Sequence, residues 1–297
     1  MSAEKSVNSN QKNTAEKKKR PTKSQLKFRR FCAVLIILLI VWWFNNYTLK
    51  TTVVTLKSDK IAAPVRLAVI SDLHAAKHGI GNDTITRRIC EAEPDMVMIL
   101  GDMYTFGSDR EVMQIPIDLA GDIIGEGYPV YLVTGEHDVD KAYVEAVAAV
   151  GAKVMNYESE IIEVNGNRLQ IFGIDNVYYS DTFNLRSYFT PDESCYSILL
   201  AHIPNFEKLS QFGADLTICA DTHGEIIQLP FNLGPVYYSE QSMWLPKLLN
   251  ENTTVYDKGI FEYKDGAMFI TSGIGNSPLP ARFNNRPEIA VIDIIPE

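Results

Sequence analysis

The sequence predicts an α/β body behind a single apolar N-terminal helix. Three observations predict it. Short apolar runs alternate with amphipathic ones through the first half of the chain. The second half is richer in strand-like runs. One uncharged apolar stretch, residues 31–44, stands near the start behind a Lys-rich segment.

The elements follow in order. Residues 1–30 are rich in Lys, Asn and Ser and include the cluster Lys17-Lys18-Lys19-Arg20, so they read as a disordered basic tail. Residues 31–47 read as a transmembrane anchor. The charge-free stretch 31–44 would span about 21 Å against a hydrocarbon core of about 30 Å, so length alone also allows a signal-peptide core. Trp42, Trp43 and Tyr47 at its far end suit a membrane interface, and no A-x-A pattern follows. Arg29, Arg30 and the Lys-rich tail then place the N-terminus in the cytoplasm and the body outside the cell membrane, as a single-pass protein. A buried core helix is the alternative, which the absence of polar periodicity fits poorly.

Residues 48–63 supply a linker and a first strand, and residues 64–297 the body. Strands are expected at 65–71, 96–100 and 130–134. Helices are expected at 82–91, with Asn82 as a cap, at 111–124 and at 141–150. This rhythm implies a largely parallel sheet. Further strands are expected at 161–164 and 168–173, joined by the turn dipeptide Asn165-Gly166, and at 196–201, 216–220, 268–271 and 289–294.

Charge is split unevenly. The chain carries −9, yet residues 1–30 hold ten Lys/Arg against two Glu, leaving eighteen basic and thirty-five acidic residues in the remainder. An acidic body argues against nucleic acid as a partner. Four cysteines form no C-x-x-C pair, and Cys90 and Cys219 read as buried free thiols.

The polar residues carry the functional signal. Five apolar strands run into Asp or His: Asp72-Leu73-His74, Gly101-Asp102, Gly135-Glu136-His137-Asp138, His202, and Asp221-Thr222-His223. In open α/β sheets the ligand crevice lies beyond the carboxyl ends of the strands. One Asp after a strand is usually a turn residue or a cap. Five such ends in series bring oxygen and imidazole ligands to one crevice.

Taken in order, these segments resemble the calcineurin-like metallophosphoesterases, whose pattern is D-x-H, G-D, G-N-H-D/E, a further His, and G-H-x-H. Residues 273–277 (Gly-Ile-Gly-Asn-Ser), Arg282 and Arg286-Pro287-Glu288 resemble a membrane-anchored bacterial branch with enzymes similar to UDP-diacylglucosamine pyrophosphohydrolases. The resemblance spans roughly residues 64 to 295. It implies a four-layer α/β/β/α sandwich and two divalent ions drawn from Mn, Mg, Fe, Ca or Zn. It implies that Asp72, His74 and His223 hold one ion, that Asp102 bridges, and that Glu136, His202 and Asp221 hold the other. His137 would protonate the leaving oxygen or stabilise charge on it, and Asp138 would orient its ring. The implied activity is hydrolysis of phosphoester or pyrophosphate bonds by metal-activated water, and the anchor points to a membrane lipid or envelope phosphoester as substrate.

Two ligand positions depart from the pattern: Glu136 stands for Asn and Asp221 for His, with Ala220 and Glu225 in place of glycines nearby. Both new ligands are carboxylates, which favours hard ions at that half of the site. A degenerate, non-catalytic ligand-binding module and a membrane scaffold remain the alternatives from other classes. Arg282 and Arg286 are candidates for substrate binding or for structural ion pairs. Met243, Trp244, Leu245, Pro246, Leu248 and Leu249 read either as core or as an apolar lip beside the site.

Overall fold

The computed structural model describes residues 22–77, 79–175, 183–250, 253–276 and 280–297. Most of the basic tail, residues 1–21, and Ser277 of the glycine-containing segment lie outside the described residues. The chain divides into two units, Met1–Val41 and Trp42–Glu297. The first contains most of helix α1 (Lys23–Tyr47), which begins ahead of the apolar run. The side chains from Val34 to Phe44 are exposed. No helix among the described residues is long and apolar enough to cross a membrane. The short charge-free stretch noted above is consistent with that.

The second unit begins with the last turns of α1 and continues through β1 (Lys50–Ser58), β2 (Val65–Ile70), α2 (Asn82–Ala92), β3 (Met96–Ile99), α3 (Arg110–Gly125), β4 (Val130–Leu132), α4 (Lys141–Ala149) and β5 (Lys153–Val154). It goes on through β6 (Glu158–Val164), β7 (Asn167–Gly173), β8 (Tyr196–Leu200), α5 (Phe206–Phe212), β9 (Leu216–Cys219), β10 (Tyr237–Tyr238), β11 (Met243–Trp244), α6 (Pro246–Leu249), β12 (Gly259–Tyr263), β13 (Gly266–Ile270) and β14 (Glu288–Pro296). Two six-stranded sheets result, ordered β1-β14-β2-β3-β4-β5 and β12-β13-β9-β8-β7-β6. Strands β2 to β5 pair in parallel, as the strand-helix rhythm predicts.

The pleat explains the layering, because successive side chains on a strand face opposite sides. Ala68, Ile70, Val97 and Ile99 pack on α2, α3 and α4 through Ile85, Ile89, Leu119, Ile123 and Val147. Leu67, Val69, Met96 and Met98, one position out of step, meet Leu169, Ile171, Ile198 and Ile218 of the second sheet. The far face of that sheet packs Phe172, Leu199 and Met268 on Leu209 and Phe212 of α5. The order is therefore helices, sheet, sheet, helix.

Two local expectations are corrected. Asn82 lies inside α2, capped by Gly81. Its amide instead donates to the Ile115 carbonyl at 2.8 Å, tying α2 to α3. Cys90 is half-buried, whereas Cys219 is buried as expected.

Candidate metal centre

The predicted strand ends do converge. The loops after β2, β3 and β4 bring Asp72, His74, Asp102 and His137 from the first sheet, and those after β8 and β9 bring His202, Asp221 and His223 from the second. The first two loops are knitted by backbone bonds from Asp72 N to Gly101 O and from His74 N to Asp102 O, both 3.0 Å. Asp72, His74, Asp102, Asp221 and His223 all take positive φ, between 41° and 68°. A left-handed backbone costs a non-glycine residue roughly 1–3 kcal/mol. Such strain gathered at one crevice marks a functional site. Close backbone approach adds glycine requirements. A Cβ on Gly135 would lie 2.2 Å from Asp102 Oδ1, and one on Gly273 would lie 2.6 Å from Asp72 Oδ2.

Three ligand groups come within metal-binding reach: Asp72, His74 and His223; His74, Asp102 and His137; Asp72, Asp102 and His202. The imidazoles are oriented for coordination. His202 Nδ1 lies 2.6 Å from the Leu100 carbonyl, so the ring proton sits there. Its buried Nε2 has no hydrogen-bond partner and faces Asp102 at 3.4 Å and Asp221 at 3.6 Å. A second hydrogen bond of this kind usually sets a metal-binding histidine. His74 pairs through Nδ1 with Thr105 Oγ1 at 3.1 Å and turns Nε2 to His223 Nε2 at 3.2 Å. Burial, then the neighbouring His223, lower the His74 pKa to about 4. Burial and Arg282 do the same for His223, also to about 4. Both rings therefore keep free lone pairs.

The carboxylates demand positive charge between them. Burial pushes Asp72 up to about 6. Burial acts the same way on Asp102, but the His202 imidazole outweighs it and brings that carboxyl to about 2. Burial opposes charging of His202, yet Asp102, Asp221 and Asp72 overcome it and draw its pKa up. Acidic groups this close, with unshared imidazole nitrogens beside them, fit divalent cations.

Not every predicted residue falls where expected. Asp221 reaches the centre through His202, and its N–H donates to Asp72 Oδ1 at 3.2 Å. Glu136 stays at the rim, its carboxylate 3.8 Å from His137 Nε2 and outside the three ligand groups. Asp138 does not orient His137. It is buried and accepts from Met103 N at 3.0 Å and Gly135 N at 3.1 Å, stapling two loops together. The group that sets the His137 ring is the Phe106 N–H, which donates to Nδ1 at 3.1 Å.

Neither arginine is placed to bind substrate. Arg282 is buried and donates to the carbonyls of Gly275 and Ser272 at 2.9 and 2.8 Å. Arg286 donates to Thr48 Oγ1 and Leu49 O and lies over the Phe44 ring at 4.3 Å. Sequence reasoning missed Thr105, Phe106 and the packing of Gly273 and Gly275 on Asp72. A Gly-x-Gly after a buried strand was the one available signal. Trp244, Leu248 and Leu249 are exposed, as the apolar-lip reading requires, while Pro246 is buried.

Two packed sheets with acidic and imidazole ligands at their strand ends define a class, the metal-dependent hydrolases. Residues 65–226 match the family model described as calcineurin-like phosphoesterase. That is more than half of the chain, and the chain belongs to this family. It is a phosphoric ester hydrolase, and the family's two divalent metals are its cofactors. Among relatives, the uncharacterized metallophosphoesterase YkuE of Bacillus subtilis (strain 168) is 24% identical over 259 residues, 84% of this chain and 86% of that protein. The uncharacterized metallophosphoesterase YkoQ of the same organism is 24% identical over 274 residues, 86% and 95% of the two chains. The solved NAD nucleotidase of Haemophilus influenzae aligns over 70% of this chain and 44% of its own at 14% identity and a TM-score of 0.44, too loose to add to the assignment.

Proposed function

We propose that the chain hydrolyses a phosphoester or pyrophosphate bond in a membrane or envelope phospho-compound. Its body works outside the cytoplasm, held at the cell membrane by the N-terminal helix. The observation that carries the catalytic reading is the His137 tautomer. With Phe106 N–H donating to Nδ1, the neutral ring holds its proton on Nε2, the nitrogen that faces Glu136. That leaves Nε2–H to donate a hydrogen bond to a leaving oxygen, and the imidazolium form of the same ring would protonate it. When bound, two divalent ions supply Lewis acidity to the phosphoryl group and to the attacking water. Asp72, His74 and His223 would hold one ion, and His202 and Asp221 the other. Asp102 would lie between them, and Glu136 would complete the second from the rim.

The exposed apolar run supports membrane attachment. It is short for a bilayer, but local thinning and snorkelling of Arg29 and Arg30 accommodate such a mismatch at modest cost. The resemblance at residues 273–288 favours an envelope lipid precursor as substrate. The test is turnover of an aryl phosphate ester by the purified full chain, titrated with Mn²⁺, Mg²⁺, Ca²⁺ and Zn²⁺. The carboxylates of Asp221 and Glu136 favour a hard ion, so Mn²⁺ or Mg²⁺ should activate best. No turnover with any ion would overturn the reading.

A further inference from the structure

A cavity of about 330 Å³ opens beside the metal centre, with His74 in its wall. Its other walls come from separate parts of the chain. Leu73 follows β2, Ile80 precedes α2, Ile115 lies on α3, and Ile274 lies in the segment packed on Asp72. Tyr47, the last residue of α1, closes one side. Among the described residues no Lys, Arg, Asp or Glu lines this space. At about 30 Å³ per water-sized unit, it holds a group of about ten heavy atoms.

One polar feature stands out. Asn276 lines the cavity, and its amide nitrogen donates to the Asn46 carbonyl at 2.7 Å. That bond fixes the amide and leaves Oδ1, which is buried and has no hydrogen-bond partner. Because that oxygen is closed off from solvent, Asn276 meets the cavity with the rest of its surface and acts mainly to tie this wall to the end of α1.

We propose that this cavity is the subsite for the alcohol portion of the ester, and that it selects an uncharged group of mixed apolar and polar surface. The proposal rests on the hydrolase reading above and narrows its substrate class. A group here abuts His74 and hence a phosphoryl group held at the metal centre. A second phosphate in the same space would lose its water with no cationic side chain among the described lining residues to replace it. Leu73, Ile80, Ile115 and Ile274 supply the apolar surface, and His74, Thr105 and Asn276 the polar surface, a mixture usual in a small-molecule site.

The experiment compares hexyl phosphate with hexane-1,6-diol bisphosphate, which share a chain and differ by a charged end. With the full chain in lipid nanodiscs, kcat/KM should favour hexyl phosphate at least tenfold. Ile80→Lys should bring the two esters near parity. Ile115→Trp, which fills the cavity, should cut the preference for hexyl over methyl phosphate about tenfold. Calorimetry with hexylphosphonate, which cannot be hydrolysed, gives a second readout. Its affinity should fall about tenfold in Ile115→Trp, and the Ile80→Lys comparison serves alone if that variant fails to fold. A parent protein that prefers the bisphosphate, or hexylphosphonate affinity indifferent to both substitutions, would overturn the proposal. If no ester is turned over but hexylphosphonate binding still responds, the hydrolase reading fails while the neutral pocket stands.

Discussion

His137 shows what a single residue contributes. Its main-chain N–H donates to Asp102 Oδ1 at 2.9 Å, and its ring is held by Phe106. His137→Ala removes the ring but keeps the backbone donor, so the acidic ligands stay in place. Turnover should fall by about 10²–10⁴-fold with both metals retained, measured as initial rate against elemental analysis of the same sample. Loss of both metals would show a ligand instead of a proton donor. The ligands were legible in the sequence because each ends an apolar strand, and strand ends meet at one crevice. Asp138 was not, because adjacency to His137 does not reveal which way a side chain turns. Here the buried N–H groups of Met103 and Gly135 claimed the carboxylate first. Arg282 misled for a related reason. An arginine near a phosphate motif looks like a clamp, but the carbonyls of residues 272–275 needed donors, and a buried planar fork supplies them.

At the scale of elements, the end of α1 is built into the body. Asn46 is fully buried. Its side chain accepts from Arg282 N at 2.9 Å and donates to Arg282 O at 3.1 Å. Asn45 accepts from Asn284 N, and Trp42 Nε1 donates to Pro280 O. Arg282 in turn holds the segment that packs on Asp72. The end of α1 is thus joined to the candidate metal centre through Asn46 and Arg282. Asn46→Ala leaves a buried N–H and C=O of Arg282 unmatched, at about 1–3 kcal/mol each. The thermal midpoint of the full chain should drop and turnover should fall with it. An unchanged midpoint would show that the helix end is dispensable. None of this was readable beforehand, since Asn45-Asn46 after an apolar run looks like an ordinary helix exit. The turn at Asn165-Gly166 was readable, because both residues take positive φ, as a tight hairpin requires. Strand β12 and helix α5 escaped notice. The first is only half-buried and the second is short, so neither leaves a strong periodic trace.

At the scale of the molecule, the candidate metal ligands come from both sheets, with Asp72, His74 and Asp102 on one and His202, Asp221 and His223 on the other. The rhythm of strands was legible but their pairing was not; that β14 lies between β1 and β2, parallel to the first and antiparallel to the second, follows from contacts far apart in the chain. Ions held by ligands from both sheets would stabilise the native state alone. Removing ions present at about 100 times their Kd should cost about 2.7 kcal/mol, or roughly 5–10 °C in midpoint, reversed by adding the metal back. Calorimetry with and without chelator checks this, and an unshifted midpoint would show that the ions do not bridge the sheets. The same molecule carries two opposed charges, a basic tail and an acidic body, on either side of an apolar run. If the apolar run is an anchor, as proposed, the rule that positive flanks stay inside would set the tail in the cytoplasm. An acidic body is no obstacle to export, because Asp and Glu count little in that rule and large domains cross regardless of charge. Protease added to intact cells should therefore digest the body, while a tag fused to residue 1 should survive until the membrane is lysed. Both ends protected would place the body in the cytoplasm. A body recovered free of the membrane and shortened near residue 48 would show instead that the apolar run is removed, and with it the Trp42 and Asn46 contacts that hold the loop at Arg282.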